Sequence, residues 1–191
     1  MSKIKKSWLV VGIVLLALVL DQVSKVYIKT SAEAGEFEPI KIFSWFWIVF
    51  VENDGMAFGI EWFSKLLLTL FRIVAVGVMS WYVHTMIHKQ EVRTGYLVTI
   101  AMVMAGALGN IIDCVFYGKI WGYADWLHGR VVDMLYFPLI KNAAGEVLFF
   151  RPVFNIADSF ITVAVFLIIL FYRKDLDKSL NLLFPKKATK S

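Results

Sequence analysis

A chain of 191 residues that is 59% hydrophobic and only 18% charged, with a mean hydropathy of +0.69, holds more apolar side chain than a soluble domain's surface tolerates, and it reads as one integral membrane domain. The net charge of +5 gathers near the ends, in Lys3, Lys5 and Lys6 and in Arg173, Lys174, Lys178, Lys186, Lys187 and Lys190. That distribution orients a protein in a bilayer and does not suggest nucleic acid. The single cysteine, Cys114, excludes an internal disulfide.

A crossing of the hydrocarbon core takes about 20 predominantly apolar residues, and four stretches approach that: residues 8–28, 63–86, 97–117 and 153–172. The first begins like an export signal, but no small-x-small cleavage site follows Leu20 and the chain runs into "DQVSK", so it is expected to be retained. On it Asp21, Ser24 and Lys25 share one helical face, acid before base. The connection after it contains "KIFSWFWIVFVEN" (41–53), an aromatic and β-branched run ending in a turn-like "NDG", which predicts short strands. The second span ends in His84 and His88, an i, i+4 pair read as interfacial residues and not as a metal site.

Lys89 and Arg93 follow, and with the basic tails they place both termini and this short loop in the cytoplasm. On the third span Asn110 and Asp113 are three apart, and Ala101, Ala105 and Gly109 form a small-xxx-small track suited to close helix approach. The outer connection 118–152 opens with "GKIWGYADWLHG", for which a short interfacial helix is expected; it also carries Lys119, Arg130, Lys141 and Arg151. Its "GRVVDMLYFP" embeds Asp133 in an apolar run too short to span, suited to lining a cavity, and "GEVLFFRPVFN" (145–155) again predicts strands. Trp45, Phe46, Trp47, Trp121, Trp126 and Phe137 suit either an aromatic belt or a substrate surface.

The fourth span opens with "FNIADSFITV" (154–163), where Asn155, Asp158, Ser159 and Thr162 fall on one stripe. A carboxylate at bilayer depth costs roughly 2.5 to 3.5 kcal/mol on insertion scales, so it usually faces a polar interior and serves a function there. Two carboxylates in one partly desolvated site share a proton, one held protonated and one ionised, an arrangement that activates water. Asp133 and Asp158 are candidates for such a pair, although periodicity cannot bring them together. An ion-coupled relay through Asp21, Asp113 and Asp158, or polar stripes that only glue the bundle, are the other readings. Cys114 has no evident base beside it and is not read as a nucleophile.

Five stretches taken in order, "DQVSK" (21–25), "NDGMAFG" (53–59), "GALGNIID" (106–113), "GRVVDM" (129–134) and "FNIADS" (154–159), resemble the motifs of the bacterial lipoprotein signal peptidases, or type II signal peptidases. The resemblance implies an all-α membrane protein of four transmembrane helices with a small extracytoplasmic β-cradle. The implied enzyme is an intramembrane aspartyl endopeptidase of the inner membrane, without a cofactor or metal. It would remove the signal peptide of diacylglyceryl-modified prolipoproteins, cutting just before the lipidated cysteine, with membrane lipids as partners and peptide antibiotics as candidate inhibitors. It assigns the catalytic pair to Asp133 and Asp158, and supporting roles to Asp21, Lys25, Asn53, Gly55, Asn110, Asp113 and Asn155. One place departs: the third motif usually continues with Arg, and here Cys114 follows Asp113. Lys25, Lys119 and Arg130 are the cations available to take its place, and hydrogen bonds to Asp113 are the alternative.

Overall fold

The computed structural model describes residues 1–53, 62–89, 91–141, 147–149 and 153–185; Gly55, Arg151, Lys186, Lys187 and Lys190 lie outside the described residues. Among the described residues four helices are long and apolar enough to cross a membrane: Lys3–Glu33, Lys65–Lys89, Thr94–Ile120 and Ile156–Leu183. They run past the apolar stretches read from the sequence because polar ends extend them; Ser2, for example, caps α1 (Lys3–Glu33) by accepting from the Lys5 amide. α2 is Trp62–Lys89. α3 (Thr94–Ile112) passes through a π-helical segment, Asp113–Tyr117, into one last turn, α4 (Gly118–Ile120). α5 (Ile156–Leu167) likewise passes through a π-helical segment, Ile168–Tyr172, into α6 (Arg173–Leu183).

α3 is the central helix: its most apolar stretch is 56% buried within the protein, against 11% to 22% for the other three, and it packs on α1, α2 and α5. Small residues make this possible. Ala101 and Ala105 are buried, a Cβ on Gly109 would approach Asp21 Oδ2 to 2.5 Å, and one on Gly106 would overlap the carbonyl oxygen of Ala157. Gly106→Val is therefore expected to push α5 off α3 and cost about 1–3 kcal/mol, read as a lower melting temperature in detergent. The outward faces of α1, α2 and α5 carry exposed Leu15, Leu16, Phe71, Val74, Val163 and Phe166, the surface that lipid would cover.

The expected strands form. A four-stranded antiparallel sheet runs in the order β1 (Ile40–Phe43), β2 (Phe46–Asn53), β3 (Val131–Tyr136), β6 (Val153–Phe154), and β4 (Ile140–Lys141) pairs with β5 (Val147–Phe149). Val51 lies opposite Asp133, Glu52 opposite Val132 and Asn53 opposite Val131. β3 is the buried interior strand, which is why "VVDM" is apolar on both faces around its acid. An aromatic row crosses the strands, Phe46 stacking on Phe137 and Phe137 on Phe154 at centroid distances of 4.7 and 5.4 Å, with Trp45 tilted against Phe46 at 6.2 Å.

The segment 118–129 corrects an expectation. It is not an interfacial helix beyond the single turn of α4; residues 121–130 run as turns, with Gly122 and Leu127 at positive φ. The physical reason is a competing set of partners. The Leu127 and Gly129 amides donate to the carbonyls of Val115 and Cys114 in the π-helical segment at 3.1 and 2.8 Å, so the chain folds back onto the helix it has just left.

Candidate active site

Asn155 is not part of a helical stripe. It is the N-cap of α5, in extended conformation at φ −117°, and it forms a capping box: its Oδ1 accepts the Asp158 amide at 2.9 Å while the Asp158 carboxylate faces the Asn155 amide. The cap leaves the Asn155 amide group free to turn toward the sheet, where Nδ2 donates to Asp133 Oδ1 at 2.7 Å and to Asn110 Oδ1 at 3.1 Å. Asn110, one turn before the π-helical segment, donates to Asp158 Oδ1 at 2.8 Å. Asn53, at the end of β2, donates to Asp133 Oδ2 at 3.0 Å. Two carboxylates from different elements thus converge on one frame of three amides.

Their surroundings differ. Asp133 is 2% exposed, and Asn155 and Asn110 are buried, whereas Asp158 is half-buried and Asn53 is exposed. Asp133 is thus shielded within β3, while Asn53 and Asp158 keep accessible surface. Burial pushes the Asp133 carboxyl up to about 6, with the Asp158 charge adding to it and the hydrogen bonds from Asn53 and Asn155 opposing it. Asp133 therefore holds its proton to a higher pH than an ordinary carboxyl does.

Beneath lies a second cluster. Lys25, fully buried, meets Asp21 at 2.9 Å and Asp113 at 2.7 Å, and its ammonium also donates to Asn110 Oδ1 at 3.0 Å, so it touches the amide frame directly. Asp21 accepts the Ala157 amide at 2.8 Å and Asp113 accepts the Val132 amide at 3.3 Å. Those two bonds tether the helix that carries Asp158 and the strand that carries Asp133 to one buried ion triad. Of the three cations available to Asp113, Lys25 is the one that reaches it; Lys119 pairs with Asp125 at 3.7 Å and Arg130 with Glu52 at 3.1 Å.

Two participants escaped the sequence reading. Gln22 donates to Asp21 at 3.1 Å, to Asp113 at 2.9 Å and to the Gly109 carbonyl at 3.2 Å, while Tyr117 donates to its Oε1 at 3.1 Å. It sits inside "DQVSK" but off the face shared by Asp21 and Lys25, so a periodicity argument passes over it. Arg72, from the middle of α2, reaches Cys114 Sγ at 3.3 Å; an arginine within an apolar span was the available signal. Of the other expected residues, Ser24 back-bonds to the Asp21 carbonyl, and the His84 and His88 rings lie 4.4 Å apart. Among the described residues no group of three or more His, Cys, Asp or Glu is arranged to hold a metal.

This architecture recurs in solved bacterial membrane enzymes. One determined by the in meso method at 1.9 Å resolution is 28% identical, with a TM-score of 0.63 over 87% of this chain and 93% of that one. Another, at 2.3 Å, shares the fold at 24% identity, with a TM-score of 0.61 over 95% and 93%. Helices, sheet and neighbours together define a multi-pass membrane protein of bacterial enzyme type. The family model for signal peptidase (SPase) II matches residues 13–173. A lipoprotein signal peptidase of Porphyromonas gingivalis is 39% identical over 99% of this chain and 92% of its own length, and one of Amoebophilus asiaticus is 35% identical over 91% and 81%. The chain belongs to the signal peptidase II family, a family of peptidases.

Proposed function

We propose that this protein is an intramembrane aspartyl endopeptidase that removes the signal peptide from diacylglyceryl-modified prolipoproteins, cutting just before the lipidated cysteine, with Asp133 and Asp158 as its catalytic pair. The observation that carries this reading is Asn155, which binds the Asp133 carboxylate through its side-chain amide and caps Asp158 through its carbonyl oxygen. Asp158 takes a proton from water, the water attacks the scissile carbonyl, and the proton on Asp133 polarises that carbonyl oxygen; the roles reverse as the amide nitrogen leaves. Asn53, Asn110 and Asn155 hold the pair, and Asp21, Lys25 and Asp113 hold the frame. Gly55 belongs to the same motif. The exposed apolar helix faces would take the signal helix and the two acyl chains.

The test is a proteoliposome assay on a diacylglyceryl precursor with the products weighed by mass spectrometry. A free signal peptide and a product beginning at the lipidated cysteine are expected, and the same precursor without its lipid should remain uncut. Cleavage at another bond, or equal cleavage of the unlipidated chain, would contradict the substrate assignment.

Orientation follows the basic residues: reporters fused at Lys89 and after Leu182 should read as cytoplasmic and one at Ala143 as external, the side on which the sheet and both acids would lie. An external reading at Lys89 would invert the site.

The pH profile follows from Asp133. Its folded value of about 6 lies above the ordinary 3.8, so the protonated form is favoured in the fold, and both that stabilisation and the catalytic proton are lost as pH rises through about 6. The alkaline limb of kcat/KM is expected near about 6, with that of kcat higher once substrate excludes water. An alkaline limb in the ordinary carboxylate range, near 4, would contradict Asp133 as the proton carrier.

A further inference from the structure

The segment from Gly118 to Arg130 takes no part in the proposed chemistry, yet it is tied down along its length. The Tyr123 and Ala124 amides donate to the Gly118 carbonyl, and Leu127 and Gly129 bond back to the π-helical segment. A Cβ on Gly129 would overlap the Asp113 carbonyl oxygen, so this glycine is the only residue type that lets the strand approach so closely. The Arg130 amide then donates to the Tyr123 hydroxyl at 2.7 Å, and its guanidinium lies 5.3 Å from the centre of the Tyr123 ring.

That guanidinium donates to Glu52 Oε2 at 3.1 Å, while Glu52 Oε1 accepts from Lys29 at 2.6 Å. Lys29 is fully buried; it also meets Glu33 at 3.0 Å and sits 5.1 and 5.0 Å from the Trp121 and Tyr123 rings. One carboxylate of β2 is therefore held from two sides, by a cation of α1 and by a cation at the end of the folded-back segment. The next residue along β2 is Asn53, which donates to Asp133. Glu52 and Asn53 point to opposite faces of the strand, so the clamp acts on Asn53 through the backbone, by fixing where β2 lies against β3.

We propose that Glu52, clamped between Lys29 and Arg130, is a positioning residue that sets Asn53 against Asp133, and that the 118–130 segment is the arm supplying one side of the clamp. The inference rests on the reading of Asp133 as catalytic. Release of the clamp lets β2 shift and lengthens the Asn53 to Asp133 hydrogen bond. Because that bond favours the ionised carboxylate, its loss moves the proton on Asp133 to higher pH. A merely structural contact would lower the melting temperature and leave the pH profile where it was.

The experiment measures kcat, KM and the pH profile of the full chain in proteoliposomes for Glu52→Gln and for Tyr123→Phe, the latter removing only the hydroxyl that accepts the Arg130 backbone amide and so anchors the arm where the Arg130 guanidinium leaves it. The expected result for Glu52→Gln is a fall in kcat of about 10- to 100-fold, an unchanged KM and an alkaline limb displaced upward, with the same displacement, smaller, for Tyr123→Phe. If Glu52→Gln does not fold, the Tyr123→Phe displacement decides. An unmoved pH profile in the folded variants, whatever the change in kcat, would overturn the proposal. Asp133→Asn is run beside them: if it still cleaves, the underlying reading fails and this inference with it, whereas an inactive Asp133→Asn beside an unchanged Glu52→Gln overturns the clamp alone.

Discussion

Asp133→Asn and Asp158→Asn are each expected to lower kcat for precursor cleavage by at least ~10³-fold while the protein inserts, purifies and binds precursor normally. The amide matches the carboxyl in volume but exchanges no proton with water at neutral pH. At Asp133 both carboxylate oxygens accept from amides, Asn155 on one and Asn53 on the other, so the variant loses one of two hydrogen bonds and keeps its packing. At Asp158 the capping contribution of the Asn155 carbonyl survives, since it uses the backbone amide. Binding should persist because, in the proposed reading, acyl chains and signal helix would lie against the apolar helix faces and not on the pair. A gel-shift assay on the lipidated precursor, run with precursor pull-down, separates the two effects. Loss of binding in step with cleavage would point to a collapsed site instead.

Lys25→Met is expected to be the most damaging substitution for stability. It leaves Asp21 and Asp113, both essentially unexposed, facing each other without a counter-charge, and removal of one partner of a buried ion pair costs roughly 3–5 kcal/mol. That is a large fraction of the ~5–15 kcal/mol by which a domain is stable. Asp113→Asn is milder, because Lys25 keeps Asp21 at 2.9 Å; it should lower the melting temperature while retaining measurable turnover. Adding Asp113→Asn to Lys25→Met should recover part of the loss by removing one of the two stranded charges. Thermal unfolding in detergent checks all three. An Asp113→Asn variant without any turnover but with an unaltered melting temperature would move Asp113 from the frame into the chemistry.

The four spans, the strands around the outer connections and the polar faces of α1 and α3 were legible in the sequence, because the bilayer forces a length, an apolar run and a one-sided placement of every charge. The small residues of α3 were legible for the same reason. The convergence of Asp133 with Asp158 was not: one is on a strand held by β2, the other at a helix start held by an N-cap, and the hydrogen bonds that join them run through Asn110 and Asn155. Local periodicity carries no information on such crossings. The position of Asn155 was misread as helical because a cap sits one residue outside the pattern it terminates. The fold of 118–129 was misread because its amides find partners on a π-helical segment, which no sequence pattern announced.

Whether the two acids work as one unit is read most directly from a double-mutant cycle on cleavage of a diacylglyceryl precursor by wild type, Asp133→Asn, Asp158→Asn and the double variant in the same proteoliposomes. If they share one proton and one water, removal of either already removes the mechanism, so the double variant should be little slower than either single. Losses that multiply in the double variant, or substantial turnover by either single, would contradict it.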